Sequence, residues 1–200
     1  MKSLSLALLI SLFAVAFTVV KDTTYTVNQQ QSKLTWIGRK VGGEHTGTIQ
    51  LSNGKINWNG KSLTGGTFEV DMSSITNTDV TDKEYNQKLV SHLKSDDFFS
   101  TDKYPKARFV ITKVTPLANS QSQIKGKLTI KGITKEVEFP ATIQASGSQL
   151  TARAKVVVDR TLYNIRYGSG SFFDNLGDKA INNEFELNVV LVANKAEVIN

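Results

Sequence analysis

The side chains able to do chemistry are few. His45 and His92 are the only histidines, and cysteine is absent. A zinc site needs three or four ligands in close geometry. Both histidines with added carboxylates would be required, and they stand in neither an H-x-H nor an H-x-x-x-H spacing. No metal site is therefore expected. His45 reads as a strand-edge residue, and His92 as a helix residue satisfied by a backbone carbonyl. Asp96-Asp97 could suggest acid/base work, but adjacent side chains point apart, and Phe98-Phe99 follows as in a helix exit. Gly168-Ser169-Gly170-Ser171 has neither the lysine nor the strand–helix setting of a phosphate cradle, and reads as a flexible loop. No Gly-x-Ser-x-Gly elbow is present. The expectation is a protein without catalytic residues, metal or cofactor, so binding is the chemistry to consider.

The elements that would position a binding site show in the dominant pattern, which has period two. Ile124, Gly126, Leu128 and Ile130 alternate with Lys125, Lys127, Thr129 and Lys131. The same alternation runs through Phe68–Met72, Val137–Ile143, Leu150–Val156 and Phe185–Leu191. Such segments have one apolar and one wet face, as half-buried antiparallel strands do. Charged residues must face water, so Phe68, Val70, Met72, Leu128, Ile130, Val137, Phe139, Val156, Leu187 and Val189 point inward. Trp36 and Phe109 join them. From the alternation alone, these side chains either line a cavity or fill a solid core.

The punctuation fits short antiparallel strands. Asn53-Gly54 lies between Thr48–Leu51 and Ile56–Trp58 and reads as a two-residue hairpin turn. Lys131-Gly132 reads as a second tight turn. Pro105, Pro116 and Pro140 are the only prolines, and each is placed near a strand end. One segment departs from period two. Thr81-Asp82-Lys83-Glu84 fits a capping box with Thr81 as N-cap. Tyr85, Leu89 and Leu93 then recur at helical spacing. An amphipathic helix over 82–94 is expected between a strand ending near Ile75 and one starting near Lys106. Leu89, Leu93, Phe98 and Phe99 are candidates for a cavity mouth. The fold class is all-β: about eight strands in an antiparallel barrel with one inserted helix. A barrel of that size has room for side chains plus one small ligand.

Met1-Lys2 precedes an apolar run over Leu4–Val20, and Ala14-Val15-Ala16 offers a small-x-small cleavage site. Residues 1–20 read as a secretory signal peptide cleaved after Ala16, with cleavage nearer Val20 as an alternative. An uncleaved anchor is the other reading, although spanning a bilayer takes ~20 apolar residues. Without cysteine there is no disulfide and no lipoprotein cysteine. The expectation is a soluble periplasmic or secreted product, with residues 21–200 as a single domain. The net charge of +6 is scattered, without a Lys/Arg run, which argues against nucleic-acid binding and permits weak attraction to anionic membranes. Val190 and Val192, on the outer face of the last strand, suggest a surface covered by the helix, a loop or a second subunit, as in a homodimer.

Several phrases read together in order: Trp36-Ile37-Gly38-Arg39-Lys40 with His45-Thr46-Gly47; Asp71-Met72-Ser73-Ser74-Ile75; His92-Leu93-Lys94-Ser95-Asp96-Asp97-Phe98-Phe99 with Tyr104-Pro105-Lys106-Ala107-Arg108-Phe109; Gly126–Thr134 leading to Val137-Glu138-Phe139-Pro140; and Arg160-Thr161-Leu162-Tyr163-Asn164-Ile165 with Leu176-Gly177-Asp178. From about Tyr25 to Val192 the chain resembles the YceI-like family of exported bacterial proteins. The resemblance implies a lipocalin-like barrel holding a polyisoprenoid, such as a quinone-like lipid, for storage or transport. A membrane or membrane-protein donor is implied with it. A filled-core interaction module and a binder of fatty acid derivatives are the alternatives. The family's Arg-Asp pair before the His-Leu phrase is missing here, where Asn86-Gln87-Lys88-Leu89-Val90-Ser91 stands. A role of that pair in holding the helix to the barrel is therefore in question. Burying a CH₂ contributes ~0.8 kcal/mol, so one prenyl unit contributes ~3–4 kcal/mol. Several units outweigh an association cost of ~4–15 kcal/mol. On that reasoning no charged anchor is expected.

Overall fold

The computed structural model describes residues 22–196. The expected signal segment and its cleavage site lie outside the described residues. Nine strands form one sheet: β1 (Thr23–Val27), β2 (Lys33–Lys40), β3 (Gly43–Trp58), β4 (Leu63–Asp71), β5 (Lys106–Pro116), β6 (Gln121–Ile130), β7 (Ile133–Ser146), β8 (Gln149–Asp159) and β9 (Ile181–Lys195). Neighbours in sequence pair antiparallel from β2 to β9, and β2 pairs with β9, closing an eight-stranded barrel. β1 joins β3 to β9 beneath the end of β2. The helix α1 (Lys83–Lys94) lies in the long connection between β4 and β5.

The expected hairpin at Asn53-Gly54 is not there. β3 runs through it as one strand of 16 residues. Its register against β4 shifts between Leu51 and Asn53, which marks a bulge at Ser52. The bulge changes which parity faces inward: Gly47, Ile49 and Leu51 are buried before it, Gly54 and Ile56 after it. Asn53 and Gly54 also lack the positive φ that a primed turn needs. Gly54 instead permits close approach, since a Cβ there would stand 2.6 Å from Val27 Cγ2. Lys131-Gly132 does form the expected turn, with φ of 49° and 73° between the paired Ile130 and Ile133.

Pro140 is not at a strand end but inside β7. The ladder between β7 and β8 covers only Ala141–Ser146 and Gln149–Ala154. Pro140 stands where that ladder stops, so its missing N–H costs no pairing with β8. Beyond it the barrel wall forks: β7 continues on β6, and β8 continues on β9.

The helix begins one residue later than the capping box implies. Asp82, not Thr81, is the N-cap, and its carboxylate accepts from the Glu84 and Tyr85 N–H groups. Its expected apolar face is only partly used. Tyr85 is 67% exposed, beneath the Lys88 ammonium, and no helix residue is fully buried. Asn86 ties the helix down, its Nδ2 reaching Asn77 O, Asn77 Oδ1 and Val80 O at 3.0–3.1 Å. A neutral amide thus ties the helix to the segment that precedes it.

Candidate functional site

Inside the barrel lies an apolar cavity with about 240 Å³ open to the centre of a water molecule. One water needs only ~10–15 Å³ on that measure, so the space is no packing defect. The alternating strand positions make its wall: Phe68 and Val70 from β4, Phe109 from β5, Leu128 and Ile130 from β6, Val137 and Phe139 from β7, Val156 from β8, Leu187 and Val189 from β9, with Trp36 from β2. Met72 lines it too, although it opens a 3-10 turn capped by Asp71 rather than continuing β4. Of the expected mouth residues, Leu93, Phe98 and Phe99 line the cavity. Leu89 lies half-buried on the helix, outside the lining. The helix therefore meets the chamber only at its last turn and exit.

Two ends define the chamber. At the floor, Tyr25, Val27, Leu150 and Ala193 are buried and do not line the cavity. Register puts Ala193 opposite both Val27 and Leu150. At the other end a strap over 76–79 runs alongside β3. Thr76 N donates to Thr48 O, Thr78 N donates to Thr46 O, and Trp36 Nε1 donates to Thr76 O at 2.9 Å. Gly47 is required beneath the strap, because a Cβ there would stand 1.8 Å from the Thr76 carbonyl oxygen.

The histidines are occupied near this upper end. His45 Nδ1 contacts Asp79 Oδ2 at 2.8 Å. Burial pushes the Asp79 carboxyl up, but hydrogen bonds from Thr46 N–H, His45 and Asn77 outweigh it and hold the group below its ordinary range. His92 meets the Asp97 carboxylate at 3.1 Å, not the expected backbone carbonyl, and packs edge-on against Phe98 and Tyr167. This aromatic cluster fastens the helix exit to the β8–β9 connection. That connection is not a free glycine-rich loop. Ser169 is wholly buried, and its hydroxyl donates to Asn183 Oδ1 at 2.6 Å.

Sequence reasoning named only part of the cavity wall, and among the residues it missed is a buried charge. Arg160 follows β8 in a 3-10 turn, is only 4% exposed, and lines the chamber. Its Nε donates to Asn182 O at 2.9 Å, Nη1 to Ile165 O at 2.9 Å and Nη2 to Ile181 O at 3.1 Å. The Phe98 ring lies 5.9 Å from the guanidinium carbon. Burial pulls the guanidinium below its ordinary range, and the attraction of Asp159 offsets this only in part. The signal was in the alternation: Leu150, Ala152, Ala154, Val156, Val158 and Arg160 have one parity, so β8 delivers Arg160 to the inner face.

A closed antiparallel barrel with a packed floor and an apolar chamber defines the class, a hollow β-barrel. The chain belongs to the YceI-like domain family, whose sequence profile matches residues 25–193. Among curated relatives, a UPF0312 protein of Shewanella denitrificans is 36% identical over 101 residues, half of each chain. A UPF0312 protein of Staphylococcus aureus is 38% identical over 89 residues, 42% of this chain and 47% of that one. The chain thus spans about half the length of the curated relatives it matches. The fold is similar to that of Burkholderia cenocepacia BcnA, with a TM-score of 0.68 at 24% identity, covering 84% of this chain and 99% of that one. It is also similar to a polyisoprenoid-binding domain from Saccharophagus degradans, with a TM-score of 0.65 at 15% identity, covering 87% and 99%.

Proposed function

We propose that this protein is an exported carrier or store for a long apolar lipid of the polyisoprenoid class, held lengthwise in the barrel. The observation that carries the reading is the interior: inward strand positions surround a continuous apolar chamber. The polyisoprenoid-binding domain of similar fold supports it. The reading needs no catalytic group, and its ligand would come from a membrane or a membrane-protein donor.

Native mass spectrometry and solvent extraction of protein purified from its own host test this. Repeated preparations are expected to carry an apolar lipid, and delipidated protein to take up polyprenyl lipid saturably. Val70→Lys and Leu128→Lys should abolish that uptake, because each puts a charge on the chamber wall. Empty preparations together with no saturable uptake would sink the proposal. The filled-core alternative is disfavoured by the chamber's volume.

A further inference from the structure

The β8–β9 connection, residues 160–180, has two sides. Its inner side belongs to the upper end of the chamber. Tyr167 packs on Phe98, which lines the chamber, and Gly168 sits against Ile181, which lines it too. Its outer side shows Leu162, Tyr167, Phe172 and Phe173 to water, each 45–51% exposed. The two phenylalanines are held out by a built loop. Phe172 N and Phe173 N both donate to Ser169 O at 3.0 Å, and Ser169 is wholly buried with its hydroxyl on Asn183 Oδ1. Asn183 Nδ2 in turn donates to Ser171 Oγ at 2.8 Å. Large apolar side chains kept in water by an ordered loop mark a surface that meets a partner.

Charge, area and place together indicate which partner. The charged residues of 161–180 are Arg166, Asp174, Asp178 and Lys179, all exposed and balanced in sign. A nucleic acid or a charged peptide would call for one sign in excess. Four side chains of this size at half exposure offer about 400 Å². That is about half of the ~800 Å² per partner in a stable protein–protein interface, too little to hold a second copy of this chain. A phospholipid surface takes aromatic and leucine side chains at its apolar boundary and long cationic side chains at its phosphates. Arg166 lies over the Phe172 ring, 4.6 Å from its centre, so one placement serves both.

Resting on the lipid-carrier reading, we propose that the β8–β9 connection is a membrane-docking surface. Leu162, Tyr167, Phe172 and Phe173 enter the headgroup layer of a phospholipid bilayer. The upper end of the chamber is thereby brought against the leaflet that supplies the cargo. Attachment is by apolar insertion, so it does not depend on anionic lipid.

The test is flotation of the full chain with phosphatidylcholine vesicles, with and without phosphatidylglycerol, at low and high salt. The wild type should float with the neutral vesicles at both salts. Phe172→Ser/Phe173→Ser should lower that partitioning at least ~10-fold, which two half-exposed rings leaving water can supply. The same variant should bind geranylgeraniol delivered from cyclodextrin as the wild type does, yet extract it from donor vesicles at least ~10-fold more slowly. Phe173→Trp gives an independent reading, because the added emission should shift to the blue when vesicles are present. Absence of that shift, or wild-type flotation by the double serine variant, overturns the docking surface. So does flotation confined to anionic vesicles and abolished by salt, which would be the scattered lysines at work. A wild-type dimer that the double variant dissolves, without vesicle binding, would assign the patch to a second copy instead. Flotation without geranylgeraniol uptake from either source keeps the docking surface and sinks the carrier reading.

Discussion

The floor and the chamber of this barrel are made from the same kinds of residues in the same alternation, yet part of the chamber wall is less fully packed than the floor. Leu150 and Ala193 at the floor are 0% exposed. Phe68, Leu128, Phe139 and Leu187 point inward just as consistently but remain only half-buried beside the chamber, although other wall residues such as Ile130 and Val156 are buried. Strand parity decides which way a side chain points. What it meets there depends on how the strands close. At the floor β1 inserts between β3 and β9 and brings Val27 against the Ala193–Leu150 pair. Higher up no element fills the space, and the wall forks above Pro140.

Truncation breaks or sharpens this contrast most directly. Leu150→Ala leaves a void in a fully packed site and should cost ~2–5 kcal/mol. Leu128→Ala widens a space that already exists and should cost about 1 kcal/mol or less, the transfer of what little area it buries. Urea unfolding of the two variants gives the difference. Equal losses would mean that the chamber wall is packed as tightly as the floor.

Enlargement should give the mirror image with a smaller spread. Ala193→Leu forces extra volume into the floor and should cost ~1–3 kcal/mol. Ala154→Leu projects into the chamber and should leave the unfolding midpoint nearly unchanged while reducing lipid uptake. A stable Ala154 variant with undiminished uptake would mean that the lipid does not occupy this part of the chamber.

The chamber has one tight edge, at the strap. Gly47→Ala should cost ~1–3 kcal/mol despite adding a single methyl, because backbone and the Trp36 ring must both give way. Loss of the shielded Trp36 environment, read by tryptophan fluorescence, should accompany it.

Much of this was legible in the sequence, and the misses have physical causes. Ten of the cavity-lining residues follow from charged neighbours fixing strand parity, as Lys125 and Lys127 do for Leu128. The Asn53-Gly54 bulge was misread because a turn and a bulge leave the same trace: an interrupted alternation that resumes out of phase. Only the pairing of β3 with β1 and β4 on either side distinguishes them, and pairing is non-local. The family phrases pointed to a hollow interior, but hollowness itself depends on closure, which no local pattern records. Leu89 failed as a lining residue because helical spacing gives a face without saying how far along the helix that face is covered. Arg160 was missed for a different reason. The alternation was followed only through apolar residues, although a buried charge obeys the same parity.

The smallest effect concerns the strap and separates its electrostatics from the chamber's packing. Asp79 is held below its ordinary pKa of 3.8 in the folded protein, so the folded state binds its proton less readily than the unfolded state. Its contribution is complete above pH 3.8 and fades as the pH falls through the lower folded value. The group is partly exposed, with His45 beside it also open to solvent. Screening therefore keeps the loss in Asp79→Asn to about 1 kcal/mol or less at neutral pH. Asp71 is also held low, first by the Ser73 hydroxyl, so the wild type alone does not isolate one carboxyl. The difference between wild type and Asp79→Asn does. That difference should shrink as the pH falls below Asp79's ordinary value of 3.8, whereas the cost of Leu150→Ala should stay constant over the same range. A Leu150→Ala cost that also collapsed in acid would tie the floor to the strap and erase the distinction between the two ends.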